Sequence, residues 1–355
     1  MPQPVHFLKT PDGIRIAWTS GGAGAPLVKA SNWMTHLNYD TESPVWRHWV
    51  RFFESHFKFV RYDERGCGLS DWDVGDLSPA RWEEDLSAVA AVSTPEEPFV
   101  LLGISQGAAA AVSYAVSHPE RVSKLVLYGG YSLGWAHRGD PEGLRRYEAM
   151  AEIVRLGWGK DNPVFRQLFT GIFIPGGGPE QIEWFNELCR RTTTPDIAAR
   201  LLRSRAQVNT RDLLPKVRVP TLVLHARYDE VVPFSMGTIL ASEIPDARFV
   251  QLESRNHVLL EDEPAWTAFQ QAVLDFTHTP VAAGGEDPLF ASLSPREREV
   301  LAAVIAGRTN AQIGSALFIS EKTVRNSLTR IFERLGVKSR TQAAVLARDR
   351  KFAGR

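Results

Sequence analysis

Residues 101–107 read LLGISQG, an apolar run that ends in a serine with glycines on both sides. Gly103 and Gly107 each lie two positions from Ser105. A sharp strand-to-helix turn leaves no room for side chains at those positions, so this spacing is typical of a nucleophilic serine. The preceding FVLLG is typical of a buried strand, and the following AAAAVSYAVSH of a helix. The stretch therefore predicts a strand, a tight turn that carries Ser105, and a helix.

The sequence on both sides of this stretch alternates apolar strands with amphipathic helices. Such alternation indicates βαβ units and a mostly parallel sheet, an α/β fold that we expect to cover residues 1–278. The rhythm lapses from about 133 to 212, where the pattern is helical and rich in Trp and Phe. We interpret this segment as an inserted helical cap.

Two candidate partners of the serine follow later strands. Asp229 comes after the apolar run TLVLHA, and His257 comes after FVQLES. An activated serine needs a base within hydrogen-bond reach and an acid that orients this base. The carboxyl ends of parallel strands meet at one edge of a sheet, so the sequence predicts a Ser105, His257 and Asp229 triad there. Glu230 is a competing candidate for the acid.

Several motifs of residues 1–278 resemble the α/β-hydrolase family. They are RYDERGCGLSD (61–71), SHPERVSKLVL (117–127), VPTLVLHARYDEVVPF (219–234) and NHVLLEDEPAW (256–266). The resemblance implies that Ser105 is the nucleophile, His257 the general base and Asp229 the orienting acid. It also implies an oxyanion hole formed by two backbone N–H groups.

The oxyanion loop departs from the family pattern. Gln106 follows the nucleophile as expected and supplies one N–H. The second N–H belongs to a loop in which relatives usually carry His-Gly, whereas this chain reads KASNWMTH (29–36). Asn32 replaces the glycine, which makes Trp33 the second donor. Asn tolerates a positive φ better than most residues, so we expect the turn to be retained. Lys29 is also unusual in this strand.

Aromatic residues of the cap are candidates for a substrate wall, together with the oxyanion loop. The predicted ligand pocket consists of Asn32, Trp33, Trp135, Trp158, Phe169, Phe173 and Trp184, and the cap also carries Phe165 and Phe185. Such a wall favours a hydrophobic ligand. The alternative is that these rings only pack the cap onto the core.

The remaining chain reads as a linker, residues 279–291, and a small all-α domain, residues 292–355. Ser294 and Glu297 form a capping box at the start of a helix. Thr309 or Asn310 opens a short second helix, and Ser320 precedes a basic amphipathic third helix. Two short helices joined by a tight turn predict a helix-turn-helix, followed by a fourth helix.

The charge distribution separates this domain from the body of the protein. The chain has no net charge, but residues 293–355 carry +8 and the remainder carries −8. A basic domain of this kind favours binding to double-stranded DNA. The candidate DNA contacts are Thr309, Asn310, Lys322, Thr323, Arg325, Asn326, Arg330, Lys338 and Arg340.

The same region resembles the LuxR-type helix-turn-helix family. The segments that carry the resemblance are LSPREREVL (293–301), AGRTNAQI (306–313), LFISEKTVRN (317–326) and RLGVKSR (334–340). It implies a homodimer, formed through the fourth helix, on a two-fold operator. Ser327 departs from relatives, which often carry His. The whole chain is similar to bacterial transcription regulators that join these two domains.

Composition narrows the remaining possibilities. The sequence predicts no signal peptide and no membrane span, and its two cysteines are too few for a disulfide framework or a metal site. We expect a cytoplasmic bacterial protein, associated with the nucleoid when bound to DNA, with no cofactor and no metal.

Three functional hypotheses remain open. In the first, the protein is a regulator whose hydrolase-like domain senses, and slowly hydrolyses, a small apolar ester or lactone. In the second, it is a serine esterase with an autoregulatory DNA-binding domain. In the third, it is an inactive receptor whose triad only binds the ligand.

Overall fold

The computed structural model of the protein describes residues 3–160, 169–278, 290, 293–317 and 319–349. Phe165 lies outside these residues, as does the predicted linker 279–291 except for Phe290. The chain divides into two compact units, Met1–Thr279 and Pro280–Arg355.

One sheet organises the first unit. Its described strands are β1 (His6–Lys9), β2 (Arg15–Gly21), β3 (Pro26–Ala30), β4 (Lys58–Tyr62), β5 (Phe99–Ile104), β6 (Val122–Tyr128), β7 (Thr221–Ala226) and β8 (Arg248–Leu252). Their order in the sheet is β1-β2-β4-β3-β5-β6-β7-β8. The pairs β1–β2 and β2–β4 are antiparallel, and the other neighbouring pairs are parallel.

Helices cover both faces of this sheet. The described helices of the first unit are α1 (Leu37–Asp40), α2 (Arg47–His56), α3 (Pro79–Ser93), α4 (Gly107–Ser117), α5 (Pro141–Gly157), α6 (Pro179–Thr192), α7 (Pro195–Ala206), α8 (Phe234–Glu243) and α9 (Pro264–His278). Every residue of β3, β5 and β7 is buried, as continuous apolar runs in a sheet covered on both faces require. One apolar core contains Trp49 of α2 and Phe269 of α9, and another contains Leu86 of α3 and Leu240 of α8.

The predicted cap lies between β6 and β7 in the chain. The helices α5, α6 and α7 fall within it, and residues 169–173 are also helical. Trp158 of the cap stacks on Trp33 of the loop after β3, with ring centroids 5.4 Å apart. The cap therefore packs directly on the predicted oxyanion loop.

The second unit is helical. Its described helices are α10 (Pro295–Ile305), α11 (Asn310–Leu317), α12 (Glu321–Leu335) and α13 (Arg340–Asp349). Ser294 and Glu297 form the capping box of α10, and Ser320 Oγ accepts a hydrogen bond from the Thr323 N–H at the start of α12. Gly336, with a φ of 65°, ends α12 in the left-handed conformation that glycine adopts without strain. Val300, Ile313 and Ile331 belong to the shared core of this unit.

Candidate active site and nucleic-acid interface

Ser105 occupies the turn between β5 and α4. Its φ is 54°, in the left-handed region that costs a residue with a side chain about 1–2 kcal/mol. The Ser105 N–H donates to the Tyr128 carbonyl of β6 at 2.9 Å, and the Ser105 carbonyl accepts from the Ala108 N–H at 3.1 Å. These bonds hold the strained turn, which is the conformation predicted for a nucleophilic serine.

The two glycines around Ser105 have a steric role. A Cβ atom on Gly103 would lie 2.7 Å from Cα of Ala108, and one on Gly107 would lie 2.9 Å from the Ser31 carbonyl oxygen. Both obstacles are backbone atoms, which cannot move aside as a flexible side chain can. Glycine is therefore needed at both positions.

His257 and Asp229 are in direct contact. Nδ1 of His257 lies 2.6 Å from Oδ2 of Asp229, and both side chains are buried. When Asp229 is ionised, the proton of the neutral imidazole lies on Nδ1, which leaves Nε2 as the basic nitrogen. His257 lines the same cavity as Ser105. Ser105 and His257 thus line one cavity, and Asp229 contacts His257 from outside the cavity wall, at the edge where β5, β7 and β8 end.

The orientation of Asp229 is fixed by its own loop. Its Oδ1 accepts hydrogen bonds from the backbone N–H groups of Val231 at 2.8 Å and Val232 at 2.9 Å. Glu230, the competing candidate, is exposed. The structure therefore sets Asp229, rather than Glu230, against His257.

The cap and the core together hold the histidine loop. The His257 N–H donates to the Phe173 carbonyl at 2.8 Å, and the hydroxyl of Tyr128 donates to the His257 carbonyl at 2.9 Å. Asn256 accepts from the Gly176 N–H and donates to Glu263. A movement of the cap near residue 173 would therefore also displace the backbone of His257.

A second histidine near Asp229 was not expected from the sequence. Nε2 of His225 lies 3.8 Å from Oδ2 of Asp229 and hydrogen-bonds to the Val232 carbonyl at 2.9 Å. Burial lowers the pKa of His225, which favours the neutral imidazole. A neutral His225 leaves the charge of Asp229 available to His257.

The oxyanion loop differs from the expectation in two respects. Asn32 does not carry the positive φ; among non-glycine residues of this loop it falls on Met34, whose φ is 62°. The Trp33 N–H is also not free: the side-chain oxygen of Gln106 accepts from it, and from Nη2 of Arg205 at 3.3 Å. This orientation of the amide follows from the donors that surround its oxygen. A substrate carbonyl must displace Gln106 to use the Trp33 donor.

Charged side chains lie beneath the oxyanion loop. Lys29 of β3 is buried beside a small cavity that Asp40 and Arg61 also line. Burial lowers the pKa of Lys29 to about 8 and raises the pKa of Asp40 to about 7. The unusual lysine therefore belongs to a buried polar cluster rather than to the wall of the main cavity.

The main cavity has a volume of about 300 Å³. The predicted pocket residues that line it are Asn32, Trp33, Trp135, Phe169 and Phe173, and Phe185 lies there as well. Trp158 and Trp184 do not line it. Trp158 is buried behind Trp33, and Trp184 stacks on Tyr39 with ring centroids 3.5 Å apart. Among the described residues, three arginines also line the cavity, and no sequence pattern predicts them there: Arg138, Arg146 and Arg205.

The candidate DNA contacts lie on the surface of the second unit. The exposed ones are Thr309, Lys322, Thr323, Arg325, Asn326, Arg330 and Lys338, and Asn310 and Arg340 are partly exposed. Nη1 of Arg340 donates to Oδ1 of Asn310 at 3.0 Å, and Nε of Arg330 lies 3.7 Å from Oε1 of Glu297. Ser327 is buried, so its departure from relatives falls inside the helix packing of α12.

Comparison with known proteins divides the chain at the same place. Residues 22–270 match the model of the alpha/beta hydrolase family. The protein belongs to the alpha/beta hydrolase family. Residues 291–347 match the bacterial regulatory proteins of the luxR family. The alpha/beta hydrolase domain is thus fused to a LuxR-type DNA-binding domain, which confirms both resemblances.

Individual relatives support each half. The alpha/beta hydrolase domain is similar to the AB hydrolase superfamily protein YisY of Bacillus subtilis, at 25% identity over 73% of this chain and 94% of YisY. The second domain is similar to the spore germination protein GerE of Bacillus subtilis, at 51% identity over 15% of this chain and 72% of GerE. An esterase from Exiguobacterium antarcticum matches with a TM-score of 0.65 and 25% identity, over 76% of this chain and 98% of the esterase.

No helix among the described residues is both long enough and apolar enough to cross a lipid bilayer.

Proposed function

We propose that the protein is a DNA-binding transcription regulator whose alpha/beta hydrolase domain binds a small ester or lactone and hydrolyses it through Ser105, His257 and Asp229. The observation that carries this proposal is the 2.6 Å contact of His257 with Asp229 on the cavity that Ser105 lines. The fusion to a LuxR-type domain makes the ligand a signal for gene regulation.

The proposed chemistry gives each of the three side chains one role. Oγ of Ser105 attacks the ester carbonyl while Nε2 of His257 takes its proton, and Asp229 stabilises the imidazolium. The N–H groups of Gln106 and Trp33 stabilise the oxyanion. His257 then protonates the leaving alcohol, and a water molecule repeats the sequence on the acyl-enzyme, which releases the acid and restores Ser105. A lactone gives a single hydroxy acid.

The occupied Trp33 donor makes this a slow reaction. Each turnover requires the Gln106 amide to leave the Trp33 N–H before the second donor is available. A slow enzyme is poorly suited to metabolism, but it can remain bound to a signal long enough to affect DNA binding. The same hydrogen bond favours a second candidate, a receptor that binds the ligand without turnover.

The helices α12 and α13 support the DNA-binding part of the proposal. Lys322, Arg325 and Asn326 form an exposed face at the start of α12, where they are free to enter a major groove. Val345 of α13 is 51% exposed and suits a helix–helix contact between two copies. We infer a homodimer on a two-fold operator, in the cytoplasm and at the nucleoid.

Two assays on the full chain test the catalytic part. The protein should hydrolyse short p-nitrophenyl esters and become labelled by a fluorophosphonate, and Ser105→Ala should abolish both. Absence of ester hydrolysis together with absence of labelling would reject catalysis and leave the receptor. In vitro selection from random duplexes then tests DNA binding: recovery of no preferred sequence would contradict the regulatory function.

A further inference from the structure

Arg138 places a cation in the wall of the main cavity. It follows the helical turn Trp135–His137 and is partly buried. Nε donates to the Leu133 carbonyl at 2.9 Å, and the guanidinium lies 4.3 Å from the centroid of the Trp135 ring. Nη1 is buried and has no hydrogen-bond acceptor among the residues that the structure describes. The side chain is thus held in place with donor capacity left over.

No carboxylate neutralises this guanidinium among the residues that the structure describes. The groups that influence its charge are two phenols, Tyr131 and Tyr147, and burial lowers the pKa of Arg138. A partly desolvated cation without a counter-charge is costly, so structures normally pair such groups. A ligand with negative charge would supply the missing partner.

The other two arginines of the wall differ from Arg138. Nη2 of Arg205 lies 2.9 Å from Oε2 of Glu64, and both side chains are buried. Arg146 is exposed, with its Nη2 3.9 Å from Oε1 of Glu142. Nε and Nη1 of Arg205 are buried without an acceptor among the described residues, as Nη1 of Arg138 is, but carboxylates already face both Arg205 and Arg146.

Most of the cavity wall is apolar, although Gln106, Arg205 and the acidic Glu230 also belong to it. The Trp135 ring lies against Arg138, and Tyr147, Met150 and Ile172 also line the cavity. Guanidinium groups bind carboxylates through two parallel N–H···O bonds, and such bonds strengthen in surroundings of low polarity. Aromatic and aliphatic side chains on either side would hold the carbon chain of the ligand.

We propose that the ligand of this cavity is an acyl compound with a free carboxylate, which Arg138 binds while Ser105 faces the ester or lactone carbonyl. This inference rests on the proposed function and makes it more specific: the signal is a half-ester or a carboxylated lactone rather than a purely apolar molecule. Arg138 then sets the orientation of the acyl chain and selects against neutral esters.

Matched esters test the preference on the full chain. The anionic probes are the 4-nitrophenyl half-esters of glutaric, adipic, pimelic and suberic acids, and the neutral probes are their methyl 4-nitrophenyl diesters. For the chain length that fits, kcat/KM should favour the half-ester by about ten-fold or more. Arg138→Met should bring this ratio of kcat/KM values close to one. Arg138→Lys keeps the positive charge but loses the paired N–H donors of the guanidinium, so it should retain part of the preference.

Arg145 provides the matched control because it lies on α5, the helix that follows Arg138 in the chain, is exposed and is not part of the cavity wall. Arg145→Met should keep the preference of the unmodified protein. Equal or better turnover of the diesters, or a preference that survives in Arg138→Met, would overturn the inference.

A binding arm separates this inference from the proposed catalysis. Calorimetry with Ser105→Ala compares the monomethyl and dimethyl esters of the same acids. Tighter binding of the monomethyl ester that Arg138→Met removes would support the carboxylate site even if no ester is hydrolysed. Absence of binding of every monomethyl ester, or equal binding of the dimethyl ester, would reject the site whatever the result of the hydrolysis assay.

Discussion

The Gln106 side chain and the Trp33 N–H are hydrogen-bonded to each other, so the protein itself occupies one donor of its predicted oxyanion hole. In the proposed oxyanion hole, Gln106 also supplies the other donor through its own backbone. One residue therefore both builds the hole and competes for it. The same amide oxygen reaches Arg205, which the Glu64 carboxylate holds in place.

Removal of the Gln106 amide should make the protein a faster esterase. A net intramolecular hydrogen bond is worth about 1 kcal/mol, so we expect Gln106→Ala to raise kcat/KM for a p-nitrophenyl ester about five-fold. Gln106→Glu should lower it, because a carboxylate competes for the Trp33 donor more strongly. A clear loss of activity in a folded Gln106→Ala protein would mean that the amide supports the hole.

Asp229 and Glu230 should differ sharply in their effect on catalysis. Asp229→Asn keeps the shape of the side chain but removes the charge and favours the wrong tautomer of His257, so kcat should fall by about 10⁴. Glu230→Gln should cost less than about ten-fold, since its carboxylate is exposed rather than set against His257. Ester hydrolysis by the two variants measures the difference, and the reverse ranking would contradict the assignment of the acid.

The strain at Ser105 should appear as a difference in stability between two inactive variants. Glycine adopts a φ of 54° freely and alanine does not, so Ser105→Gly should be more stable than Ser105→Ala by about 1 kcal/mol. All ten tryptophans precede residue 280, so urea unfolding followed by tryptophan fluorescence reports on the alpha/beta hydrolase domain alone. Equal urea midpoints and equal slopes of the unfolding free energy in the two variants would show that the turn relaxes to an unstrained φ in Ser105→Ala.

Arg325 should contribute to sequence-specific DNA binding. It is exposed near the start of α12, where arginine reads guanine, and Arg325→Ala should weaken operator binding by about 1–3 kcal/mol. Lys338→Ala is the control for phosphate contact, since it should weaken operator and unrelated duplexes alike. Gel shifts on the selected operator and on an unrelated duplex measure both. An unchanged operator affinity in Arg325→Ala would reject this recognition helix.

Much of the architecture could be predicted because strong local patterns determine it. The glycines around Ser105 follow from backbone clashes, and the apolar runs of β5 and β7 require a covered parallel sheet. The apolar strands that precede Asp229 and His257 then predict the sheet edge at which both residues lie. The LuxR-type domain could be predicted equally well, because its helix caps and the spacing of its core residues lie within about sixty consecutive residues.

The cavity could not be predicted to the same degree, because distant segments build it. Nothing in the sequence distinguishes Trp158 and Trp184 from Trp135, which lines the cavity. In the structure, Trp158 packs behind Trp33 and Trp184 packs on Tyr39. Whether Arg138 has a partner also depends on which acidic residues the fold brings near it. The Gln106 contact with Trp33 joins two loops that lie more than seventy residues apart, and no local pattern encodes it.

Because we propose that a ligand bound at Ser105 is a signal for gene regulation, covalent occupation of Ser105 should change the affinity of the protein for its operator. The full chain is labelled to completion with a fluorophosphonate, as verified by mass spectrometry, and its Kd for the selected operator is compared with that of untreated protein. Ser105→Ala exposed to the same reagent is the control. Because ligand and DNA binding must be linked reciprocally, we predict a change in Kd of about five-fold or more in the labelled protein only. An operator Kd that agrees within about two-fold before and after complete labelling would show that occupation of Ser105 does not affect DNA binding, and would reject the proposed regulation.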